Sequence, residues 1–180
     1  MKNRLISLAI AASVFLLDRI TKLVIQARVT EWDSIPVIKG FFNIVHSENR
    51  GAAFGFLNDA PDAWRAPLLV GLSTAILILL AVLLWKPASG GLHDNAVLRT
   101  AIALIFGGAL GNLYDRAFLG SVTDFLQFFF GSYEFASFNV ADSCITIGAG
   151  LMIIDMWRSR KAAPAVTQAE PPQPEISPNR

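Results

Sequence analysis

The feature that most constrains this chain is the run from Ala66 to Trp85, in which no residue is charged. A helix of about 20 mostly apolar residues is long enough to cross the hydrocarbon core of a bilayer. Charged residues make up only 16% of the chain and hydrophobic residues 53%, whereas soluble domains carry roughly 25% charge. The sequence therefore predicts an integral membrane protein, and its composition is the opposite of a disordered chain.

Three further segments are apolar enough to extend this prediction to an all-α bundle of four transmembrane helices. The first begins after Lys2 and Arg4 and resembles a secretory signal peptide, but the charged pair Asp18-Arg19 follows its core where a cleavage site is expected. We retain it as a helix. The predicted spans are about 5–25, 66–85, 97–119 and 141–157, in one domain over 1–161, with extramembrane segments at 26–63 and 120–138 and a disordered cytoplasmic tail at 162–180.

Basic residues predict the orientation. Lys2 and Arg4 precede the first helix, Lys86 and Arg99 flank the short loop between the second and third, and Arg158 follows the fourth. Four crossings place all of them on one side, which the positive-inside rule assigns to the cytoplasm. Both termini are then cytoplasmic, and the segments 26–63 and 120–138 lie on the opposite side, the first as short strands against the membrane surface.

Charge and cysteine content exclude several classes of function. A net charge of +1 gives no basic footprint for nucleic acid. Cys144 is the single cysteine, and His46 and His93 lie far apart. Thiolate clusters are excluded and a histidine-built zinc site is not expected, so we predict no metal and no cofactor.

Ionisable residues at membrane depth are costly and often functional. Asp18 and Lys22 share one face of the first helix, as an ion pair that either holds the helix or orders a site. Gly108, Gly111, Asn112 and Asp115 share one side of the third helix, with Arg116 beside them, and Gly107 with Gly111 forms a GxxxG motif for close helix approach. We expect helix packing from the glycines and a supporting role from Asn112 and Arg116; an Asp115–Arg116 interfacial anchor is the alternative.

Two more carboxylates follow. Asp124 is a lone carboxylate in an aromatic run, where burial of a charge without a partner costs free energy. Asp142 and Asn139 are three residues apart at the start of the fourth helix, where helix capping is the simpler explanation for Asp142. The predicted topology brings these residues to one membrane face, which indicates a polar pocket with at least two carboxylates. The converging residues are Asp18, Lys22, Asn49, Asn112, Arg116, Asp124, Asn139 and Asp142.

Two neighbouring aspartates that share a proton can activate water and protonate a leaving amine, which is peptide hydrolysis without a metal. Asp142 gains from the helix N-terminus and is expected to hold charge, whereas Asp124 among aromatics is expected to hold the proton. Two alternatives stay open at this point. Such residues also suit a proton-coupled transporter, or a non-catalytic assembly subunit that uses GxxxG and paired charges between helices.

Five co-linear motifs resemble those of lipoprotein signal peptidase, the type II signal peptidase family of bacteria. They are Asp18 to Lys22 (DRITK), Asn49 to Gly55 (NRGAAFG), Gly107 to Arg116 (GGALGNLYDR), Val122 to Phe125 (VTDF) and Phe138 to Asp142 (FNVAD). Their order and spacing agree over about residues 1 to 160. The tail from Ala162 lies outside the common pattern.

The resemblance implies a monomeric aspartic endopeptidase of the bacterial inner membrane, with its active site toward the periplasmic face. Its substrate is a prolipoprotein carrying diacylglycerol on its lipobox cysteine, cleaved just before that cysteine at a site in contact with membrane lipid. It also implies inhibition by globomycin, a cyclic peptide, and a periplasmic β-cradle and short periplasmic helix, at about 30–60 and 120–136 here. By position, Asp124 and Asp142 are catalytic, Asn49, Gly108, Asn112, Arg116, Asn139 and Ala141 line or support the pocket, and Asp18 and Lys22 are structural near it.

Overall fold

The structure is a computed structural model, and it describes residues 2–52, 56–57, 60–85 and 96–162. It contains four long helices and four short strands in the order α1 (Lys2–Arg28), β1 (Ser34–Ile38), β2 (Phe42–Asn49), α2 (Asp62–Trp85), α3 (Ala96–Phe118), β3 (Val122–Phe130), β4 (Tyr133–Glu134) and α4 (Val140–Ala162). The predicted tail beyond 162, the loop with Lys86 and residues 53–55 of the second motif lie outside the described residues.

The four predicted helices are confirmed. Within the described ranges, three of them are long and apolar enough to cross a membrane, namely Asp62–Trp85, Ala96–Phe118 and Val140–Ser159. The helix α1 carries Asp18, Arg19 and Lys22 in its second half. Because of these charges, α1 is not among the helices that are apolar enough to cross a membrane. It extends beyond the predicted end at 25, and α2 begins four residues before the predicted 66.

Helix α3 is the centre of the bundle and packs against α1, α2 and α4. Glycine makes these approaches possible. A Cβ on Gly107 would lie 2.6 Å from the Ala11 carbonyl oxygen of α1, and a Cβ on Gly148 of α4 would lie 2.7 Å from the Ala101 carbonyl oxygen. The packing role predicted for the GxxxG motif is therefore confirmed.

Many large apolar side chains of the helices point outward. Leu16, Leu17, Leu72, Leu79 and Ile153 are each at least half exposed. A contiguous apolar surface of this kind is unusual on a soluble monomer. The bundle is thus apolar outside, and its fully buried side chains include Asp18, Lys22, Asp115 and Asn139.

The strands form one antiparallel sheet in the order β1-β2-β3-β4. Ser47 of β2 is opposite Asp124 of β3, and Asn49 is opposite Val122. The register shifts between Ile44 and Ser47, so a bulge lies beside the position of Asp124. The sheet therefore holds Asn49 and Asp124 in neighbouring strands.

The short helix expected at 120–136 is wrong, because the structure has β3 and β4 there. The sequence Val122–Phe130 is rich in β-branched and aromatic residues, which favour strands, and it pairs with β2 on one side. On the other side Leu126 exchanges backbone hydrogen bonds with Phe138 at 2.8 and 3.0 Å. Gly131, at φ +65°, makes the tight turn into β4. The predicted β-cradle exists, but it extends beyond 30–60 to include these strands.

Candidate active site

The first turn of α4 fixes Asp142. The backbone N–H of Asp142 donates to the Asn139 side-chain oxygen at 3.0 Å, and the Asn139 N–H donates back to the Asp142 carboxylate at 3.3 Å. This reciprocal arrangement is a capping box, which satisfies two otherwise unpaired N–H groups. The capping role considered for Asp142 is therefore real, and it leaves a second carboxylate oxygen directed elsewhere.

That second oxygen accepts from α3. The Nδ2 of Asn112 donates to Oδ1 of Asp142 at 2.8 Å, and the Nζ of Lys22 donates to Oδ1 of Asn112 at 2.9 Å. An asparagine side chain has one donor end and one acceptor end, so Lys22 fixes which end of Asn112 faces Asp142.

Asp124 is held by two amides from two different elements. Its Oδ1 accepts from the Nδ2 of Asn139 at 2.7 Å, and its Oδ2 accepts from the Nδ2 of Asn49 at 3.1 Å. The carboxyl is only 2% exposed. Asn139 thus contacts both carboxyl groups, through its side chain on Asp124 and through its backbone on Asp142.

Beneath this pair lies a buried ionic cluster between α1 and α3. Lys22 pairs with Asp18 at 2.8 Å and with Asp115 at 2.7 Å, and all three side chains are fully buried. Arg19 also pairs with Asp115. The other oxygen of Asp18 accepts from the Ala141 N–H at 2.9 Å, so the cluster also caps α4.

Asp124 and Asp142 line one pocket of about 470 Å³. Asn49, Asn112 and Arg116 complete its polar wall. The Nε of Arg116 is buried and has no acceptor in the described part of the chain, while its NH2 group donates to the Gly51 carbonyl at 2.9 Å. The rest of the pocket is mostly apolar, with Val122, Phe135, Phe138, Ile145 and Ile147 among its lining residues.

The pKa of the Asp124 carboxyl is raised to about 7. Burial is the largest cause, because it penalises the charged form, and the negative charge of Asp142 adds to it. The hydrogen bonds from Asn49 and Asn139 oppose the shift without cancelling it. Asp124 is therefore protonated in a large fraction of molecules near neutral pH.

The structure brings the predicted residues into one connected set. Asn49, Asn112, Arg116, Asp124 and Asp142 line the pocket. The remaining predicted residues support these groups from behind: Asp18, Lys22, Gly108, Asn139 and Ala141. Gly108 lies against Ala141, since a Cβ there would be 2.5 Å from the Ala141 carbonyl oxygen.

Two residues of the set were missed as site residues. Asp115 was placed on the same helix side as Asn112 without a site role, with an interfacial anchor as the alternative; it is fully buried and pairs with Lys22 and Arg19. Its position three residues after Asn112 on one helix face was the available signal. Thr123 is fully buried and joins Gln26 of α1 to Glu48 of β2, which no sequence spacing indicates. Within the described ranges, no three His, Cys, Asp or Glu side chains come close enough to hold a metal ion.

Comparison with known proteins identifies the family of this chain. The family profile described as Signal peptidase (SPase) II matches residues 10–158. The lipoprotein signal peptidase of Solibacter usitatus is 46% identical over 158 residues, covering 88% of this chain and 94% of that protein. The lipoprotein signal peptidase of Nitratidesulfovibrio vulgaris is 43% identical over 158 residues, covering 88% and 92%.

Solved structures show the same fold. A bacterial membrane enzyme determined by the in meso method at 2.3 Å resolution matches with a TM-score of 0.74 and 36% identity, over 89% of this chain and 93% of that one. A second, at 1.9 Å, matches with a TM-score of 0.71 and 37% identity, over 83% and 91%. On the profile match and these identities, the chain belongs to the signal peptidase II family and is a bacterial membrane peptidase of the aspartic class.

Proposed function

We propose that this protein removes the signal peptide from diacylglyceryl-modified prolipoproteins, with Asp124 and Asp142 as its catalytic pair. The observation that carries the assignment is that both carboxyl groups line one pocket and both accept hydrogen bonds from Asn139. They come from different elements, the strand β3 and the helix α4. Their meeting is a property of the fold and not of local sequence.

Each aspartate has a distinct role. Asp142 accepts from the Asn112 amide and from a backbone N–H at the N-terminus of α4, which stabilises its carboxylate form.

Asp142 takes a proton from water, and the water oxygen bonds to the scissile carbonyl carbon. Asp124, protonated because of its raised pKa, gives its proton to the carbonyl oxygen. The tetrahedral intermediate then collapses. The C–N bond breaks as the leaving amine takes the proton from Asp142, and a hydroxyl of the intermediate returns a proton to Asp124.

The walls of the pocket suit a lipid-modified substrate. Phe135, Phe138, Ile145 and Ile147 give it an apolar side, against which acyl chains and the end of an apolar signal segment can pack. Arg116 also lines this pocket. We assign its guanidinium charge to a carbonyl of the bound substrate.

The membrane arrangement follows from burial. Asp18 and Lys22 of α1 are fully buried, whereas Leu5, Leu16, Leu17 and Leu23 of the same helix are exposed. The charges of α1 therefore face the bundle and its apolar surface faces outward, so we infer that α1 is a fourth transmembrane helix. With cytoplasmic termini, the catalytic pair and the sheet lie at the periplasmic face of the bacterial inner membrane. We infer that the protein acts as a monomer.

The test is cleavage by the purified protein of a prolipoprotein carrying diacylglycerol on its lipobox cysteine, read as a mobility shift on a gel. We expect cleavage before the cysteine and inhibition by globomycin. Asp124→Asn and Asp142→Asn each remove one member of the pair and should abolish cleavage while the protein still inserts and elutes as wild type. Asp62→Asn, a matched change at an exposed carboxylate, should cleave normally.

The same variants separate the proposal from its alternatives. Retained cleavage by either purified site variant would refute the catalytic pair. If the polar residues serve only assembly, the Asn variants should lose folding or insertion instead of chemistry. If they serve proton-coupled transport, wild type should leave the prolipoprotein intact.

A further inference from the structure

A second cavity of about 490 Å³ adjoins the catalytic pocket on the side of the sheet. Its walls come from the connection between α1 and β1 (Trp32, Asp33), from β2, from β3 and from β4. No residue of α2, α3 or α4 is among its lining residues. It therefore lies away from the helices that are apolar enough to span the membrane.

The two cavities share a wall. Asn49, Asp124, Ala136 and Ser137 line both of them. Asp124 thus stands between the helix-side pocket and the sheet-side cavity, and a peptide bond held at Asp124 has one cavity on each side of it.

The chemistry of the two sides is different. The pocket contains Ile145, Ile147 and two phenylalanines. The second cavity is lined largely by polar side chains, with carboxylates at Asp33, Glu48 and Glu134 and with neither Lys nor Arg among its lining residues. The proposed substrate has a similar asymmetry, since an apolar signal segment precedes the scissile bond and a soluble chain follows the lipid-modified cysteine.

The carboxylates of this cavity are not equivalent. Glu48 is fixed by its neighbours, since it accepts from Ser121 at 2.6 Å and Thr123 at 3.0 Å and lies 3.0 Å from the His46 ring. Asp33 is exposed, and the exposed Glu134 accepts one hydrogen bond from Gln127 at 2.6 Å. Asp33 and Glu134 therefore have oxygens available to donors of a bound chain, because a carboxylate has about four acceptor positions.

We propose that the sheet-side cavity, defined by Trp32, Asp33, Glu48, Gln127 and Glu134, binds the segment of substrate that follows the modified cysteine. This rests on the proposed function and extends it to the mature side of the substrate. Asp33 and Glu134 make the cavity selective, because they attract lysine or arginine in the first residues after the modified cysteine and repel aspartate or glutamate.

The test uses three diacylglyceryl-modified prolipoproteins that differ only at the second and third residues after the cysteine, as Lys-Lys, Ser-Ser or Glu-Glu. We expect kcat/KM at low salt to fall in that order, by about fivefold between the first and last for exposed charge pairs. High salt should narrow the difference, since exposed charges are screened. Equal kcat/KM on all three substrates overturns the selectivity but leaves the proposed function standing, whereas no cleavage of any substrate overturns both.

Variants of the cavity test whether its carboxylates cause the charge selectivity. Asp33→Asn combined with Glu134→Gln should bring the Lys-Lys to Glu-Glu ratio close to one. Glu31→Gln removes the same kind of charge from the same turn, but Glu31 does not line the cavity, so this variant should keep the wild-type ratio. A ratio that survives the double variant overturns the assignment.

A photo-crosslinking experiment locates the bound substrate segment without measuring a cleavage rate. A photoreactive residue is placed third after the cysteine and bound to Asp142→Asn protein, which is expected to hold substrate without turnover. Labelling of residues 32–34 or of β4 supports the proposal. Labelling confined to α2 overturns it.

Discussion

Lys22 donates a hydrogen bond to the side-chain oxygen of Asn112 across 2.9 Å, and the two residues are 90 positions apart in the chain. The bond turns the amide nitrogen of Asn112 toward Asp142, 2.8 Å away. The same ammonium group pairs with Asp18 and Asp115. One fully buried cation therefore pairs with two buried carboxylates and orients a donor for a carboxylate of the candidate active site.

Replacement of Lys22 by methionine should be strongly destabilising. The variant leaves Asp18 buried without a cation, while Asp115 keeps only Arg19, and breaking a buried ion pair costs about 3–5 kcal/mol. We expect this loss in the free energy of unfolding, measured by denaturant titration in detergent. Lys39→Met, at an exposed lysine of the β1–β2 turn, is the matched control and should change stability little.

A second substitution tests the cause. Asp18→Asn in the Lys22→Met background removes the uncompensated charge and should recover part of the lost stability, because Asp115 keeps its pairing with Arg19. A Lys22→Met protein as stable as wild type would show that the cluster contributes nothing to folding.

Gly108 and Gly150 offer a matched pair of glycine substitutions. A Cβ on Gly108 would lie 2.5 Å from the Ala141 carbonyl oxygen, whereas a Cβ on Gly150 meets nothing within 4 Å. Gly108→Ala should therefore push α4 away from α3, cost about 1–3 kcal/mol and slow cleavage, because Asp142 lies in the displaced turn. Gly150→Ala should be neutral or stabilising by up to about 1 kcal/mol, since alanine favours helix.

Thermal unfolding and cleavage rate, measured on both glycine variants, check this prediction. Equal behaviour of the two would contradict the close α3–α4 contact.

Local spacing predicted part of the site correctly. Asp18 and Lys22 are one helical turn apart, and Asn139 and Asp142 are three residues apart at a helix start, so their contacts follow from helix geometry. The apolar runs predicted the helices for the same reason. The meeting of Asp124 with Asn139 follows from the topology and from the resemblance to a known family, because no short-range rule joins a strand to the next helix.

The failures have physical causes too. The expected helix at 120–136 came from the resemblance, but β3 is fixed by its pairing with β2, more than 70 residues earlier in the chain. No site role was predicted for Asp115, because its partners, Arg19 and Lys22, lie in the first helix. Which residues pair across such long separations in the sequence depends on how the helices pack. The sequence pattern alone does not give that packing.

The cleavage rate should fall as pH rises above about 7. The proposed mechanism needs one protonated and one ionised carboxyl group, and Asp124 loses its proton around its raised pKa of about 7. A pH profile of kcat/KM should therefore show an alkaline limb near neutrality. A profile flat from pH 5 to 9 would contradict the shared-proton mechanism.

The free energy of unfolding should also depend on the protonation of Asp124, and it should fall as pH rises. The pKa of Asp124 is about 7 in the folded state and about 3.9 in an unfolded chain. Between these values the folded state binds more protons, so the free energy of unfolding falls as pH rises, by about 4 kcal/mol in total. Below pH 4 this stability is fully present and no longer changes with pH, because Asp124 is protonated in both states. Asp124→Asn has no such proton, and its stability should vary less between pH 4 and 7; an unchanged slope would contradict the raised pKa.

A substitution at Thr123 tests whether this residue, which precedes Asp124, contributes only to the stability of the fold or also to cleavage. Its hydroxyl accepts from Gln26 at 2.7 Å and donates to Glu48 at 3.0 Å, and the side chain is fully buried. Thr123→Val keeps the shape but leaves two polar partners unsatisfied, which should cost about 1–3 kcal/mol. Thr74→Val is the matched control, because the exposed Thr74 hydroxyl bonds only the Val70 carbonyl of its own helix.

The two outcomes for Thr123 have different meanings. The carboxyl of Asp124 is held by Asn49 and Asn139, and neither of these bonds involves the Thr123 hydroxyl. Thr123→Val should therefore cleave substrate at temperatures where it is folded, with its loss confined to the free energy of unfolding. If cleavage disappears while unfolding is unchanged, the link from α1 through Thr123 to β2 positions the catalytic strand, and the support of Asp124 extends beyond its two amide donors.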